Sequence, residues 1–345
     1  MLTFKKRLNR LFIFTFFLLF ATQSLATVQQ KLFAQVELFD KCEVFKNSIC
    51  STDIRRSDNL LVTSSSTGNV ELWYFDQGRQ SQLPHPEGVP TVTFSHDGKL
   101  VATGSYDNKV RVWRVATAEL LNTFIGHEKM VTNVVFSPDD QYLASTSADD
   151  SVRLWHLHSK QNKTLKKHIG DVWGLAFSPD GSKLFTGGED HNIEVWHTET
   201  GENLTTLSAH NGAVLSLAFS HDGNWLASGG DDYTVKLWNA NTLEVINTFE
   251  DDAYSIYDLE FSPDDTMLAS GGRDQGLFGE ILQYHFNYKG SGDDVSVRIW
   301  SPNSGEVIQH LTGHFDDLDT VHFSATGEQL VTSGVDGRVI LWQVK

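Results

Sequence analysis

The sequence predicts an all-β protein built from repeats, and three observations predict it. Tryptophan recurs at positions 73, 113, 155, 196, 238, 300 and 342, with spacings of 40, 42, 41, 42, 62 and 42 residues. A period of roughly 40 to 45 residues marks a propeller or a solenoid. Each of these indoles ends a run such as KVRVW, SVRLW, NIEVW, TVKLW or RVILW, in which β-branched and polar residues alternate; that is the pattern of a strand with one buried face. Earlier in each unit from the second onward, another apolar run ends in Phe and a turn: FSHDG, FSPDD, FSPDG, FSHDG, FSPDD and FSATG. Turn-formers in that position join two strands into a tight hairpin.

The first element along the chain lies outside the repeats. Lys5, Lys6, Arg7 and Arg10 precede the apolar run LFIFTFFLLF, and small residues follow at Ser24 and Ala26. Basic, apolar and small residues in that order read as a secretory signal peptide, residues 1–26, with cleavage expected after Ala26 and a secreted or periplasmic location. The apolar core, Leu11 to Ala21, is shorter than the roughly 20 residues of a spanning helix; an uncleaved N-terminal anchor is the alternative. The whole chain carries a net charge of −17, and without residues 1–26 the balance is 23 basic against 44 acidic residues. Repulsion from phosphate makes nucleic acid and anionic membrane poor partners. Acidity of this kind serves solubility or a cationic partner. The two cysteines, Cys42 and Cys50, would be exported together, which permits a disulfide closing a short loop; two separate thiols are the competing reading.

In register and over essentially all of residues 27–345, these repeats resemble the WD-repeat (β-transducin repeat) family. The resemblance implies four antiparallel strands per unit and a single domain closed as a seven-bladed β-propeller. The last unit stops at VILWQVK, one strand short. The strand-like segment of about residues 31–40 is therefore assigned as the outer strand of the last blade, a clasp that removes open sheet edges.

Counting back from each Trp exposes a second regularity. The sixth residue before it is Asp107, Asp149, Asp190, Asp232 or Asp336; the tenth is Thr103, Ser145, Thr186, Ser228 or Thr332; the twenty-eighth is His85, His127, His168, His210 or His314. Indole N–H only donates and carboxylate only accepts, whereas hydroxyl and neutral imidazole do both. The four types, ending on Trp113, Trp155, Trp196, Trp238 and Trp342, can form one satisfied chain, which the family uses as a structural tetrad. Five copies of a Ser/Thr, His and Asp set serve architecture; a hydrolase needs one exposed nucleophile. No enzyme activity is expected. Two units depart: the first has Phe45 and Thr67 in place of His and Asp, and the sixth has Asp252 in place of His, with Asp274 or Asp294 as its Asp. The Asp-rich hairpins lack the spacing of a calcium loop, so neither metal nor cofactor is expected.

The long spacing of 62 places an insert at about residues 275–293, between the second and third strands of blade six. Tyr284, Phe286 and Tyr288 alternate with polar residues there, as in a projecting hairpin. It serves either as contact area for a partner or as a cover for a neighbouring blade. By analogy with relatives, the residue before each tetrad Asp faces outward on the same rim, which selects Tyr106, Glu189, Asp231 and Arg273 together with Ala148 and Val335. Five residues after each tetrad His position the innermost strand begins, which selects Trp173, Tyr257 and Asp319 together with Cys50, Pro90, Thr132 and Leu215. Trp173, Tyr257, Tyr106, Glu189 and Asp231 among them make an aromatic and acidic surface suited to a protein or peptide partner, cationic in character; Trp173 could equally serve as channel filling. The function expected is a scaffold of the cell envelope or exterior. The alternative, an enzyme or small-ligand binder using the central channel, needs a polar cluster outside the tetrads, for which only Asp319 and Asp231 stand out.

Overall fold

Alternation along each repeat dictates strands, and each repeat folds into one four-stranded antiparallel sheet. A computed structural model describes residues 34–37, 51–74, 77–159, 161–250, 255–273, 296–314 and 316–344. They contain seven such sheets and no helix. Blade 1 is Thr52–Arg55, Leu60–Ser64, Asn69–Tyr74 and Gly78–Pro84; five blades of the same order follow. Blade 7 takes three strands, Leu318–Phe323, Gln329–Gly334 and Arg338–Gln343, from the end of the chain and its fourth, Ala34–Glu37, from the beginning. That clasp pairs antiparallel with the last strand, Ala34 opposite Leu341 and Glu37 opposite Arg338. It lies within the segment of about residues 31–40 that the sequence assigned to this role. Cys42, Cys50, Phe45, Asp252, Asp274, Asp294, the insert at about 275–293 and the segment 1–26 lie outside the described residues.

Apolar side chains meet in the seams between blades. Val62, Leu72 and Leu83 of blade 1 pack with Val92, Val101 and Trp113 of blade 2, and the motif repeats round the ring. Outer strands are mostly exposed but send one apolar residue inward, such as Leu83, Phe124, Leu165, Phe249 or Leu311. Each such burial contributes about 1.5–3 kcal/mol of transfer free energy.

Two turn systems mark the two faces. Where the first strand of a blade turns into the second, one residue sits in the left-handed region: Asn59, Gly98, Asp140, Gly181, Gly223, Asp265 or Gly327. Glycine takes this conformation without steric cost, so the two Asp residues need a reason. Asp140 accepts hydrogen bonds from the backbone N–H groups of His96 and Asp97 in the preceding blade, both at 2.9 Å. Asp265 does the same for His221 and Asp222, at 2.8 and 2.9 Å. Where the preceding blade has proline, with no N–H to offer, the next has glycine against it: Gly181 by Pro138, Gly223 by Pro179 and Gly327 by Pro263. This is the hairpin face; the tetrads lie toward the other.

Candidate functional site

The tetrads are built as the donor and acceptor inventory requires in four blades. In blade 3 the Trp155 indole N–H donates to Ser145 Oγ at 2.9 Å, Ser145 meets His127 Nε2 at 2.7 Å, and His127 Nδ1 lies 3.1 Å from Asp149. The same links close on His168, His210 and His314, with Nδ1 to carboxylate distances of 3.0, 2.9 and 3.0 Å. Burial opposes ionisation of Asp149 and Asp232, yet the hydrogen bonds from His127 and His210 and from neighbouring hydroxyl and backbone donors hold both well below the usual carboxylate range.

Blade 2 corrects the sequence reading. His85 Nε2 reaches Thr103 at 2.8 Å, but its Nδ1 bonds the Leu83 carbonyl at 2.9 Å instead of Asp107. Asp107 is taken by Arg111, through two nitrogens at 3.1 and 2.5 Å. A guanidinium fork matches a carboxylate better than a single imidazole N–H does. Burial then pushes His85 down to about 4. In blade 6 Trp300 still donates to Ser270, at 2.8 Å. In blade 1, Thr63 Oγ1 and Trp73 Nε1 are buried without a hydrogen-bond partner among the described residues.

Around the tetrad-side rim, the backbone is pinned where the side chains vary. The amide N–H of the residue before each tetrad Asp donates to a carbonyl just ahead of the innermost strand: Tyr106 to Gly88, Ala148 to Met130, Glu189 to Asp171, Asp231 to Ala213 and Val335 to Asp317, over 2.8–3.2 Å. Glu189 and Asp231 are exposed and Tyr106 is half-buried. Glu189 Oε2 accepts the Asp171 N–H at 3.3 Å, and Asp231 accepts the Ser255 hydroxyl at 2.5 Å. Arg273 ends the second strand of blade six, beside the insert. Ile169, directly after His168, is 80% exposed on this face; it falls neither just before a tetrad Asp nor five residues after a tetrad His, the two positions the repeat pattern singled out.

The innermost strands explain how Trp173, Tyr257 and Asp319 come together. Pairing register shifts between Val131 and Asn133, Val172 and Gly174, Val214 and Ser216, Ile256 and Asp258, and Leu318 and Thr320. Each shift is a bulge that leaves Thr132, Trp173, Leu215, Tyr257 or Asp319 out of the ladder and re-aims it. All five line a central cavity of about 200 Å³. Bulges are not legible in a period count, but the positions they select were.

Over residues 79–114, 118–156, 159–197, 201–239, 243–278 and 305–343 the chain matches the family described as WD domain, G-beta repeat. The chain belongs to that family. Among curated proteins it is similar to the coronin-like protein of Saccharomyces cerevisiae, 33% identical over 72 residues, which are 21% of this chain and 11% of that protein. It is similar also to nuclear distribution protein nudF of Aspergillus niger, 32% over 77 residues, 22% of this chain and 17% of the relative. Jouberin of Rattus norvegicus is 39% identical over 77 residues, 21% of this chain and 7% of the relative. These WD-repeat likenesses thus span less than a fifth of each relative.

Inside the WD-repeat frame, one cluster belongs to no tetrad. Asp53, Asp258, Glu260 and His322 stand on the innermost strands of blades 1, 6 and 7. Asp53 accepts the Phe94 N–H at 2.7 Å, Asp258 the Val321 N–H at 2.8 Å and Glu260 the Phe323 N–H at 2.5 Å, so each carboxylate satisfies an edge amide of the next blade round the ring. Glu260 also lies 3.7 Å from His322 and 2.7 Å from Arg56 of blade 1. The other arm of Arg56 meets His221 of blade 5 at 2.7 Å. Arg56 thereby skips blade 7 and struts the hairpin-side mouth of the channel. The sequence did carry a signal: the residue after each bulge is polar or glycine, namely Asn133, Gly174, Ser216, Asp258 and Thr320.

Proposed function

We propose that this WD-repeat propeller is a non-catalytic protein-binding platform whose partner docks on the tetrad-side rim, around the channel mouth. One observation carries the reading: five register bulges re-aim Thr132, Trp173, Leu215, Tyr257 and Asp319 beside rim turns whose backbones are fixed and whose side chains differ. A rigid frame with variable tips suits recognition, and WD-repeat proteins broadly serve as interaction scaffolds. A net charge of −17, with Glu189 and Asp231 exposed on the rim, favours a basic segment on the partner. Tyr284, Phe286 and Tyr288 of the insert, with Arg273 at its base, would extend the contact area. The basic, apolar and small residues of positions 1–26 support an exported location, which N-terminal sequencing of the cell-derived protein tests: the expected first residue is Thr27.

Capture of a partner from the envelope fraction, quantified for the wild type, Trp173→Ala, Glu189→Lys and a deletion of residues 276–292, tests the docking reading. Each change is expected to weaken capture at least tenfold while the thermal midpoint stays nearly constant. Undiminished capture with a lowered midpoint would reverse the assignment.

A further inference from the structure

We infer that the central channel is itself a binding cup for a small organic amine with an apolar body, entered from the tetrad side. The cavity of about 200 Å³ is two-sided. Trp173, Leu175 and Leu217 line it from blades 4 and 5, whereas Asp258, Asp319 and His322 line it from blades 6 and 7. An apolar wall facing a charged one selects a ligand with an apolar end and a polar end. The size sets a second limit, because drug-sized ligands occupy roughly 300–1,000 Å³. Arg56, bonded to Glu260 and His221, narrows the hairpin-side mouth and leaves the aromatic side, with Trp173 and Tyr257, as the entrance.

The sign of the polar end follows from the charges that face Asp258. Glu260 of its own strand and His322 of blade 7 act on it directly; Asp53 of blade 1 acts on His322, Arg56 of blade 1 pairs with Glu260, and Asp319 of blade 7 lines the same cavity. Leaving Asp319 aside, Asp53, Asp258 and Glu260 oppose Arg56 and His322, which leaves one negative charge in excess. Burial opposes a proton on His322, but Glu260, 3.7 Å away, together with the charges of Asp53 and Asp258, prevails and pushes it up to about 10. His322 is therefore a cation at neutral pH, already matched to Glu260. Burial pushes Asp258 up to about 6, with Glu260 adding and His322 opposing. A carboxylate in that condition gains from a further cation nearby. Its oxygens accept the N–H groups of Leu259 and Val321, at 3.0 and 2.8 Å. Each carboxylate oxygen has two lone pairs, so acceptor capacity remains for an ammonium.

The test uses the purified protein and three probes of one shape: phenethylamine, 2-phenylethanol and 3-phenylpropionate, titrated by calorimetry and by indole fluorescence. The amine is expected to bind at least tenfold more tightly than the alcohol, and the carboxylate not to bind. Asp258 must be ionised to attract the ammonium, so amine affinity should fall about tenfold from pH 7.5 to pH 5. Asp258→Asn should abolish that pH dependence and the preference for amine over alcohol. Should that variant not fold, Trp173→Ala serves instead, weakening amine and alcohol alike. Glu189→Lys should leave amine binding unchanged, which separates this site from the docking rim. Absence of saturable amine binding, equal binding of the carboxylate or an affinity independent of pH would each overturn the inference.

Discussion

Blades 1 and 3 use the same hydroxyl and indole for different outcomes. In blade 3, Trp155, Ser145, His127 and Asp149 form an unbroken chain of hydrogen bonds that locks the outer loop onto the sheet. Blade 1 keeps Thr63 and Trp73, yet both polar atoms are buried and, among the described residues, unpaired. An unmade buried hydrogen bond costs about 1–3 kcal/mol per group. At the seam that joins blade 1 to blade 7, Ile54 and Leu61 pack with Val331, Val339 and Leu341, and Trp73 lies against them. Among the described residues, the tetrad chain is thus complete in blades 3, 4, 5 and 7 and broken in blade 1. A closed ring tolerates one weak blade because neighbours on both sides, and the clasp strand, hold it in place.

The largest break of that comparison is His127→Ala. It opens a cavity and removes the donor to Asp149 and the acceptor for Ser145, and should cost about 3 kcal/mol in chemical denaturation. A cost under about 1 kcal/mol would mean that the chain of hydrogen bonds contributes little net stability.

Indole substitution sharpens the contrast. Trp→Phe removes the same volume and the same N–H in either blade. In blade 3 the lost N–H was bonded, so Trp155→Phe should cost roughly 1–2 kcal/mol more than Trp73→Phe, which sheds an unsatisfied donor. Denaturant midpoints of the two variants at constant slope give the difference directly.

These contrasts also mark how far the sequence could be read. Period, strand alternation and turn chemistry are local, so the seven blades, the shared closing blade and the tetrad positions were all legible. What failed was competition between side chains: nothing in the spacing of His85 and Asp107 says that Arg111, two residues before Trp113, takes the carboxylate. The channel cluster of Asp53, Asp258, Glu260 and His322 was missed for a different reason. Its members are far apart in sequence and meet only because innermost strands of blades 1, 6 and 7 converge on one axis. The pairing of SHDG in one repeat with SPDD in the next was visible at residues 95–98 with 137–140 and 220–223 with 262–265. Read as turns alone, those stretches hid the bond that crosses the seam.

The third prediction concerns pH and blade 2. His85 is held down to about 4 in the fold, whereas an unfolded histidine titrates near 6.5. Between those values the unfolded chain binds more protons, so this residue's contribution is fully present above about 6.5 and is lost as pH falls toward 4. Asp258, raised to about 6, runs the opposite way over much of the same window. The informative quantity is therefore the difference between wild type and His85→Gln: the variant should lose less stability from pH 7 to pH 5. Parallel profiles would place the acid sensitivity elsewhere.

The smallest expected effect lies on the hairpin face. Asp140 tolerates its left-handed backbone and accepts two amide hydrogen bonds across the seam between blades 2 and 3. Asn also tolerates that conformation and keeps one carbonyl acceptor, so Asp140→Asn should cost only a few tenths of a kcal/mol. Ala in the same place loses both acceptors and adds backbone strain, and should cost roughly 1–2 kcal/mol. If Ala and Asn proved equal, the amides of His96 and Asp97 would be satisfied well enough by water. This hairpin contact would then rest on packing, as it does between Pro138 and Gly181, where a proline offers no N–H and a glycine needs no acceptor.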